Sequence, residues 1–308
     1  MESFIVMNYN KFCSQLENKR KIVFNSLGME IGWEIARWCG WIRWYKKTHP
    51  DYTINISTRT NRSDLYYGMF DNIYTYNIDG DYIKFRPNMY RLDFWPDEEQ
   101  DKLINKISRT FEDFYICNPP IHTNNRNIFP KDKMDFNFTP HPNNIKIIKE
   151  ILSKNIKKIP ICISPRHRLD SQKPTRNWLE TYWNDLFAKV DKTNKFIVFI
   201  LGDRSSMITP LKSKNFIVIC DIKIPNTSNI GLTIEAIKNS ILTIGQQSAL
   251  PVLSNYLKTP TIMWGHEKKR HQKLENPLNT RCVFFEELSI HYNTNPNLIF
   301  EAILKESV

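Results

Sequence analysis

Short apolar runs alternate with amphipathic stretches along nearly the whole chain, and this alternation limits the possible folds more than any other feature. In the second half the runs are IPICIS (159–164), FIVFIL (196–201), FIVIC (216–220), ILTI (241–244) and TIMW (261–264). Between or before them lie NIKIIKEILSKN, WLETYWNDLFAKV (178–190), IGLTIEAIKN and ALPVLSNYL, each with helical periodicity. The first half repeats the plan. KIVFNSL (21–27), YTINIST (52–58) and NIYTYNI (72–78) read as strands. WEIARWCGWIRWYKK, with Trp33, Arg37, Trp41 and Trp44 at helical spacing, and PDEEQDKLINKISRTFEDFY (96–115), which opens on proline and acidic residues, read as helices. A strand followed by a helix and another strand is the signature of parallel crossover connections.

Residues 117–143 interrupt the pattern with a Pro- and Asn-rich stretch that lacks periodicity. At 308 residues the chain is long for one core. Two domains are therefore expected, 1–140 and 141–308. The predicted fold class is α/β, with two Rossmann-like domains facing a central cleft.

Composition narrows the function. Apolar residues at 41% and aromatic residues at 13% exclude a disordered chain. No apolar run approaches the ~18 residues that span a bilayer, so no transmembrane segment is expected. The first residues, MESFIVMNYNKF, lack a signal-peptide pattern, which predicts a cytoplasmic, reducing location, with peripheral contact to a membrane left open. The six cysteines form no CxxC pair and read as buried free thiols, Cys162 and Cys220 within strands. The 43 Lys and Arg against 32 Asp and Glu give a net charge of +11. Such an excess favours an anionic partner, whether nucleic acid, a membrane surface or a phosphorylated small molecule. Some of it belongs to a solvated face.

In open α/β sheets, ligands bind beyond the carboxyl ends of the strands, so four loops hold the candidate site. After the first strand, Gly28-Met29-Glu30-Ile31-Gly32 places a carboxylate between two glycines. The glycines allow close approach of the backbone, and Glu30 is the candidate general base. Glu34 lies in the first helical turn, where capping is the simpler role. After IPICIS, the segment 163–178 gathers Arg166, His167, Arg168, Lys173 and Arg176. So many cations in one loop call for an anion, and a phosphate is the natural one. After FIVFIL, Gly202 permits a turn before Asp203. After ILTI, Gly245-Gln246-Gln247-Ser248 enters a helix with Ser248 as its natural N-cap, and free N–H groups there can hold a diphosphate.

The order of these parts resembles the heptosyltransferase-like family of GT-B glycosyltransferases. Lys173-Pro174-Thr175-Arg176-Asn177-Trp178 looks like that family's phosphate-contacting lysine and aromatic helix start. The family's Asn-Asp-Ser/Thr-Gly, its His and its Gly-x-Pro fall on Gln246, Gln247, Ser248, Ala249, Val252 and Lys258-Thr259-Pro260. The hydroxyl and the proline are kept; the Asp, Gly and His are replaced. The resemblance implies a nucleotide-sugar-dependent enzyme with an acceptor-side first domain and a donor-binding second domain. It implies catalysis by Glu30, with Gly28, Gly32 and Glu34 in the acceptor-side loop. Arg166, Arg168, Lys173, Arg176, Gly202, Gln247 and Ser248 would bind a nucleotide-diphosphate sugar without a metal or other cofactor. The acceptor would be a glycan, a glycolipid or other lipid-linked glycan, a phosphorylated glycan, or modified DNA. No tight Asp-x-Asp argues for a metal; Asp79-Gly80-Asp81 reads as a turn, and His266 and His271 as a basic surface turn. Two other classes share these features: a sugar-nucleotide epimerase and a nucleic-acid-binding protein. The helical spacing of the tryptophans favours core positions over stacking platforms.

Overall fold

The computed structural model describes residues 9–26, 31–76, 97–119, 129–167, 176–210, 212–224, 228–266, 268–289 and 291–308. Gly28, Glu30, Asp79–Asp81, Arg168 and Lys173 lie outside the described residues. The chain divides into two compact units, Met1–Thr139 and Pro140–Val308.

In the first unit, helix α1 (Tyr9–Ser14) precedes strand β1 (Lys21–Asn25). The helical stretch that follows is α2 (Ile31–Trp33), a π-helical segment Glu34–Cys39, and α3 (Gly40–Thr48). Strands β2 (Thr53–Arg59) and β3 (Asn72–Tyr76), helix α4 (Asp97–Thr110) and strand β4 (Tyr115–Cys117) complete it. The strands pair in parallel in the order β3-β2-β1-β4. The sequence predicted one unbroken helix after β1 and ran the second helix to 115. The π segment changes which rings face inward: Trp38 and Trp41 are the fully buried pair, and Trp44 is half-buried. Phe24 of β1 meets Trp38 and Trp41 edge-on at 5.7 Å each, and Phe12 of α1 meets Trp41 at 5.1 Å. Each such pair contributes about 0.5–1.5 kcal/mol beyond its buried area. Phe12 thereby ties α1, an element the sequence reading missed, to the sheet.

The second unit runs α5 (Pro142–Ser153), β5 (Ile159–Ser164), α6 (Glu180–Thr193), β6 (Phe196–Ile200), β7 (Phe216–Val218), α7 (Asn229–Lys238) and β8 (Leu242–Gln246). It continues through α8 (Ala249–Tyr256), β9 (Thr261–Gly265), the single turn α9 (Lys268–Arg270), a π-helical segment His271–Glu275, β10 (Cys282–Glu286) and α10 (Pro296–Glu306). All strands are parallel, in the order β10-β9-β8-β5-β6-β7. Strands β6, β8 and β9 are buried along their whole length and β5 from Ile161 onward, which is why they read as continuous apolar runs. Trp178, Trp183 and Trp264 form one buried cluster with centroids 4.7–5.4 Å apart. The tryptophans of this unit are core, although Trp178 precedes the helix and Trp264 lies on a strand, so helical spacing is not what buries them. Cys13, Cys220 and Cys282 correct the cysteine reading, being only half-buried; β7 stops at Val218, and Cys220 sits in a 3-10 turn. Among the described residues, no helix is long and apolar enough to cross a membrane.

Candidate functional site

Strand order locates the place where a ligand can enter. In the second sheet the chain winds from β5 outward through β6 to β7, then reverses to β8, β9 and β10. The two neighbours from which the winding diverges are β5 and β8, and in open α/β sheets ligands bind beyond the carboxyl ends of two such strands. Gly245 of β8 lies opposite Ser164 of β5. A Cβ on Gly245 would come within 2.9 Å of both the Ser164 carbonyl oxygen and Pro251 Cγ, so the strands and α8 close together here because this position is glycine.

Residues from both loops meet at this point. Arg166, two positions past β5, donates from Nη1 to the Arg176 carbonyl (3.2 Å) and to Asn177 Oδ1 (3.3 Å). Arg176 donates from Nη2 to the Gln247 carbonyl (3.2 Å) and from Nε to the Tyr292 hydroxyl (3.4 Å). Gln246, fully buried, donates from Nε2 to the Arg176 carbonyl (3.3 Å), and its Oε1 has no hydrogen-bond partner among the described residues. Arg166, Arg176 and the Gln246–Gln247 turn are thus one hydrogen-bonded cluster carrying two guanidinium groups. Ser248 occupies the N-cap position of α8, but its side chain makes no capping hydrogen bond, contrary to the expected N-cap role. Its extended backbone leads directly from the cluster into the helix.

The loop after β6 joins from the other side of β5. Arg166 pairs with Met207 in an isolated antiparallel bridge, His167 N donates to the Ser206 carbonyl (2.7 Å), and Ile208 N donates to the Pro165 carbonyl (2.9 Å). Gly202 starts this loop at φ 134°, a conformation side-chain-bearing residues rarely adopt.

The histidines correct the expected basic surface turn. His271 is fully buried, with Nδ1 3.3 Å from Glu275 Oε2 and its ring stacked on Phe284 at 5.0 Å. Burial lowers its proton affinity, but hydrogen bonds to Cys282 and Glu275 outweigh that, so its pKa is raised to about 9. His266 is half-buried, its Nδ1 3.3 Å from the Glu287 carbonyl and its ring 4.7 Å from that of Tyr292.

In the first unit, the carboxyl edge is polar. Ser26 Oγ donates to Thr58 Oγ1 (3.2 Å), and Asn25 Nδ2 donates to Asn118 Oδ1 (3.2 Å) across the β1–β4 divergence. Gly32 lies in α2. Glu34 opens the π segment and is fully buried, and its carboxylate accepts from Thr58 Oγ1 (2.8 Å), Arg62 Nη1 (2.5 Å) and Tyr66 Oη (2.9 Å). The expected capping role is replaced by a tertiary one: Glu34 binds the first helical stretch to the segment that follows β2. Burial, with Glu34 alongside, pushes the Tyr66 hydroxyl well above its usual pKa. Burial and neighbouring Arg62 bring Arg59 down to about 10. Among the described residues, no group of three or more His, Cys, Asp or Glu is arranged to hold a metal ion.

No protein-family model matches the chain, and no curated protein sequence does. Solved structures match along nearly its full length. A glycosyl transferase family 9 protein from Veillonella parvula DSM 2008 aligns with a TM-score of 0.58 at 10% identity, over 94% of this chain and 97% of that one. The ADP-heptose LPS heptosyltransferase II of E. coli gives 0.54 at 9%, over 93% and 98%. The fold is GT-B. E. coli heptosyltransferase WaaC with ADP gives 0.50 at 8%, over 92% and 99%. Within this GT-B fold, the cluster described above joins the β5 and β8 loops of the second Rossmann-like unit. Its members Gln246, Asn177 and Tyr292 were not named among the sequence's site residues. Gln246 and Asn177 lie inside the two loops that the sequence singled out, although neither was named as a contact. Tyr292, 116 positions from Arg176, gave no local signal.

Proposed function

We propose that this chain is a nucleotide-sugar-dependent glycosyltransferase that passes a sugar from a nucleotide diphosphate to an acceptor hydroxyl, with inversion and without a metal. One observation carries the reading: Arg166, Arg176 and the turn into α8 converge where the strand order of the second unit reverses. When the sugar–phosphate bond breaks, negative charge accumulates on the leaving diphosphate. Preset guanidinium groups and helix N–H groups offset that charge without reorganising. In this reading Arg168 and Lys173, in the same loop as Arg166, complete the cationic set. Gly202 and Ser248 shape the neighbouring loops.

The acceptor hydroxyl must lose a proton as it attacks. Glu30 and Glu34 are the two carboxylates of the first loop, and Glu34 is already engaged by three donors within the first unit. Glu30 is therefore the assigned base. The acceptor is a glycan, a lipid-linked glycan or a modified nucleic acid, any of which suits a chain of net charge +11 when it bears phosphate. The neighbours named for ADP-heptose make that sugar the first donor to try. The test is incubation with a panel of ADP-, GDP-, UDP- and CDP-sugars, with and without each acceptor class, following nucleotide release. One donor should be consumed. Glu30→Gln should lower turnover by roughly 10²–10⁴-fold while donor binding persists. Consumption of no donor, or full turnover by Glu30→Gln, would count against the enzyme assignment or the base respectively.

A further inference from the structure

We propose that Glu275 is a positioning residue for the donor site: its carboxylate fixes the side chain of Gln247 and thereby the turn that opens α8. This rests on the reading that the turn holds a diphosphate.

Gln247 is constrained from every side. Its N–H donates to the Trp264 carbonyl (2.8 Å), and its own carbonyl accepts from Arg176 (3.2 Å). Its side chain passes over Gly265, the last residue of β9. A Cβ there would meet Gln247 Oε1 at 2.5 Å and Gln247 Cβ at 2.7 Å. The φ of Gly265 is not positive, so glycine is needed here for room rather than for conformation. Past Gly265, Gln247 Nε2 donates to Glu275 Oε2 (2.8 Å).

Glu275 belongs to no strand-end loop of the donor cluster, yet it is held in place itself. Its Oε2 also faces His271 Nδ1 (3.3 Å), and His271 Nε2 lies 3.4 Å from Asn255 Nδ2 on α8. Asn255 is fixed in turn by Thr261 Oγ1, which donates to its Oδ1 (3.1 Å). The chain of contacts begins in the turn before α8 and ends on α8. It clamps the helix start, through Gln247, and the helix end, through Asn255, to the π segment His271–Glu275. Diphosphate recognition by backbone N–H groups depends on their fixed direction, so loosening this clamp weakens binding with no direct contact to the ligand being lost.

The experiment is calorimetric titration of the full-length chain with ADP, GDP, UDP and CDP, the tightest of them serving as the probe. Glu275→Ala should bind the probe about tenfold more weakly. Glu275→Gln, whose amide oxygen still accepts from Gln247, should bind within about threefold of wild type. In a Gln247→Ala background, Glu275→Ala should cause no further loss, because both act through one side chain. Gly265→Ala, which displaces Gln247 while leaving Glu275 intact, should reproduce the loss and carries the test if Glu275→Ala does not fold. Equal binding by wild type, Glu275→Ala and Gly265→Ala overturns the proposal alone. Additive losses in the Gln247→Ala background overturn it too. No binding of any nucleoside diphosphate by wild type overturns the donor-site reading and this proposal with it.

Discussion

Two buried ionic contacts show what single residues do in this chain. Glu34 and Arg62 are almost wholly withdrawn from water, with side-chain exposures of 0% and 7%. Removing one partner of such a pair leaves an uncompensated buried charge, so Glu34→Ala should lower stability by about 3–5 kcal/mol, measured as the urea midpoint with an unchanged slope. A loss below about 1 kcal/mol would mean that the carboxylate is not a structural clamp. His271 makes a pH-dependent contribution. Its folded pKa, about 9, lies above the ordinary value of 6.5, so its stabilisation is complete below pH 6.5 and disappears as pH rises through 9. The groups facing it are Glu275 on its own segment and Cys282 on β10. Between pH 6.5 and 9.5, wild type should lose about 3 kcal/mol more stability than His271→Gln. Parallel losses would show that His271 does not change its protonation on unfolding. Neither partnership was visible in the sequence. Arg62, Thr58 and Tyr66 reach Glu34 only once β1 and β2 have paired, and Glu34 beside Gly32 looks like an ordinary first-turn acid.

Elements were more legible than contacts. β5, β6, β8 and β9 stand out because strands buried on both faces must be apolar throughout, and helices α6 and α7 stand out by their period. β10 escaped because it is a half-buried edge strand, CVFFE, that gives no strong pattern. β4 is three residues long and adjoins a helix that the sequence could extend into it. The π segment has no compositional mark at all. Gly245 tests the packing of two elements that were legible. Its neighbours include the Ser164 backbone, which cannot rotate away, so Gly245→Ala should cost about 1–3 kcal/mol and weaken nucleoside diphosphate binding as β8 and its turn shift. Thermal unfolding and titration of the same preparation check both; an unchanged melting temperature would mean that the strands separate freely.

At the scale of the molecule, the sequence carried the fold class because repeated β/α alternation admits few topologies, and solved GT-B structures of about 10% identity or less share that fold over nearly the full chain. The candidate cations were legible as well, since Arg166 and Arg176 share one loop. What holds them was legible in part: Gln247, 71 positions further along, was a candidate, whereas Tyr292, 116 positions further, was not. The account also predicts that chelating divalent ions with EDTA leaves turnover within about twofold, since guanidinium groups rather than a metal take the diphosphate charge; abolition by EDTA, restored by added Mg²⁺, would contradict this. The central claim is that a diphosphate binds at the meeting of the β5 and β8 loops, and calorimetric titration of wild type and Arg176→Ala with ADP, GDP, UDP and CDP tests it most directly. One nucleotide should bind wild type and bind the folded variant at least about tenfold more weakly, as loss of a charge-assisted contact worth about 1.5–3 kcal/mol requires. Equal affinity in the two proteins, or no binding by wild type, would contradict it.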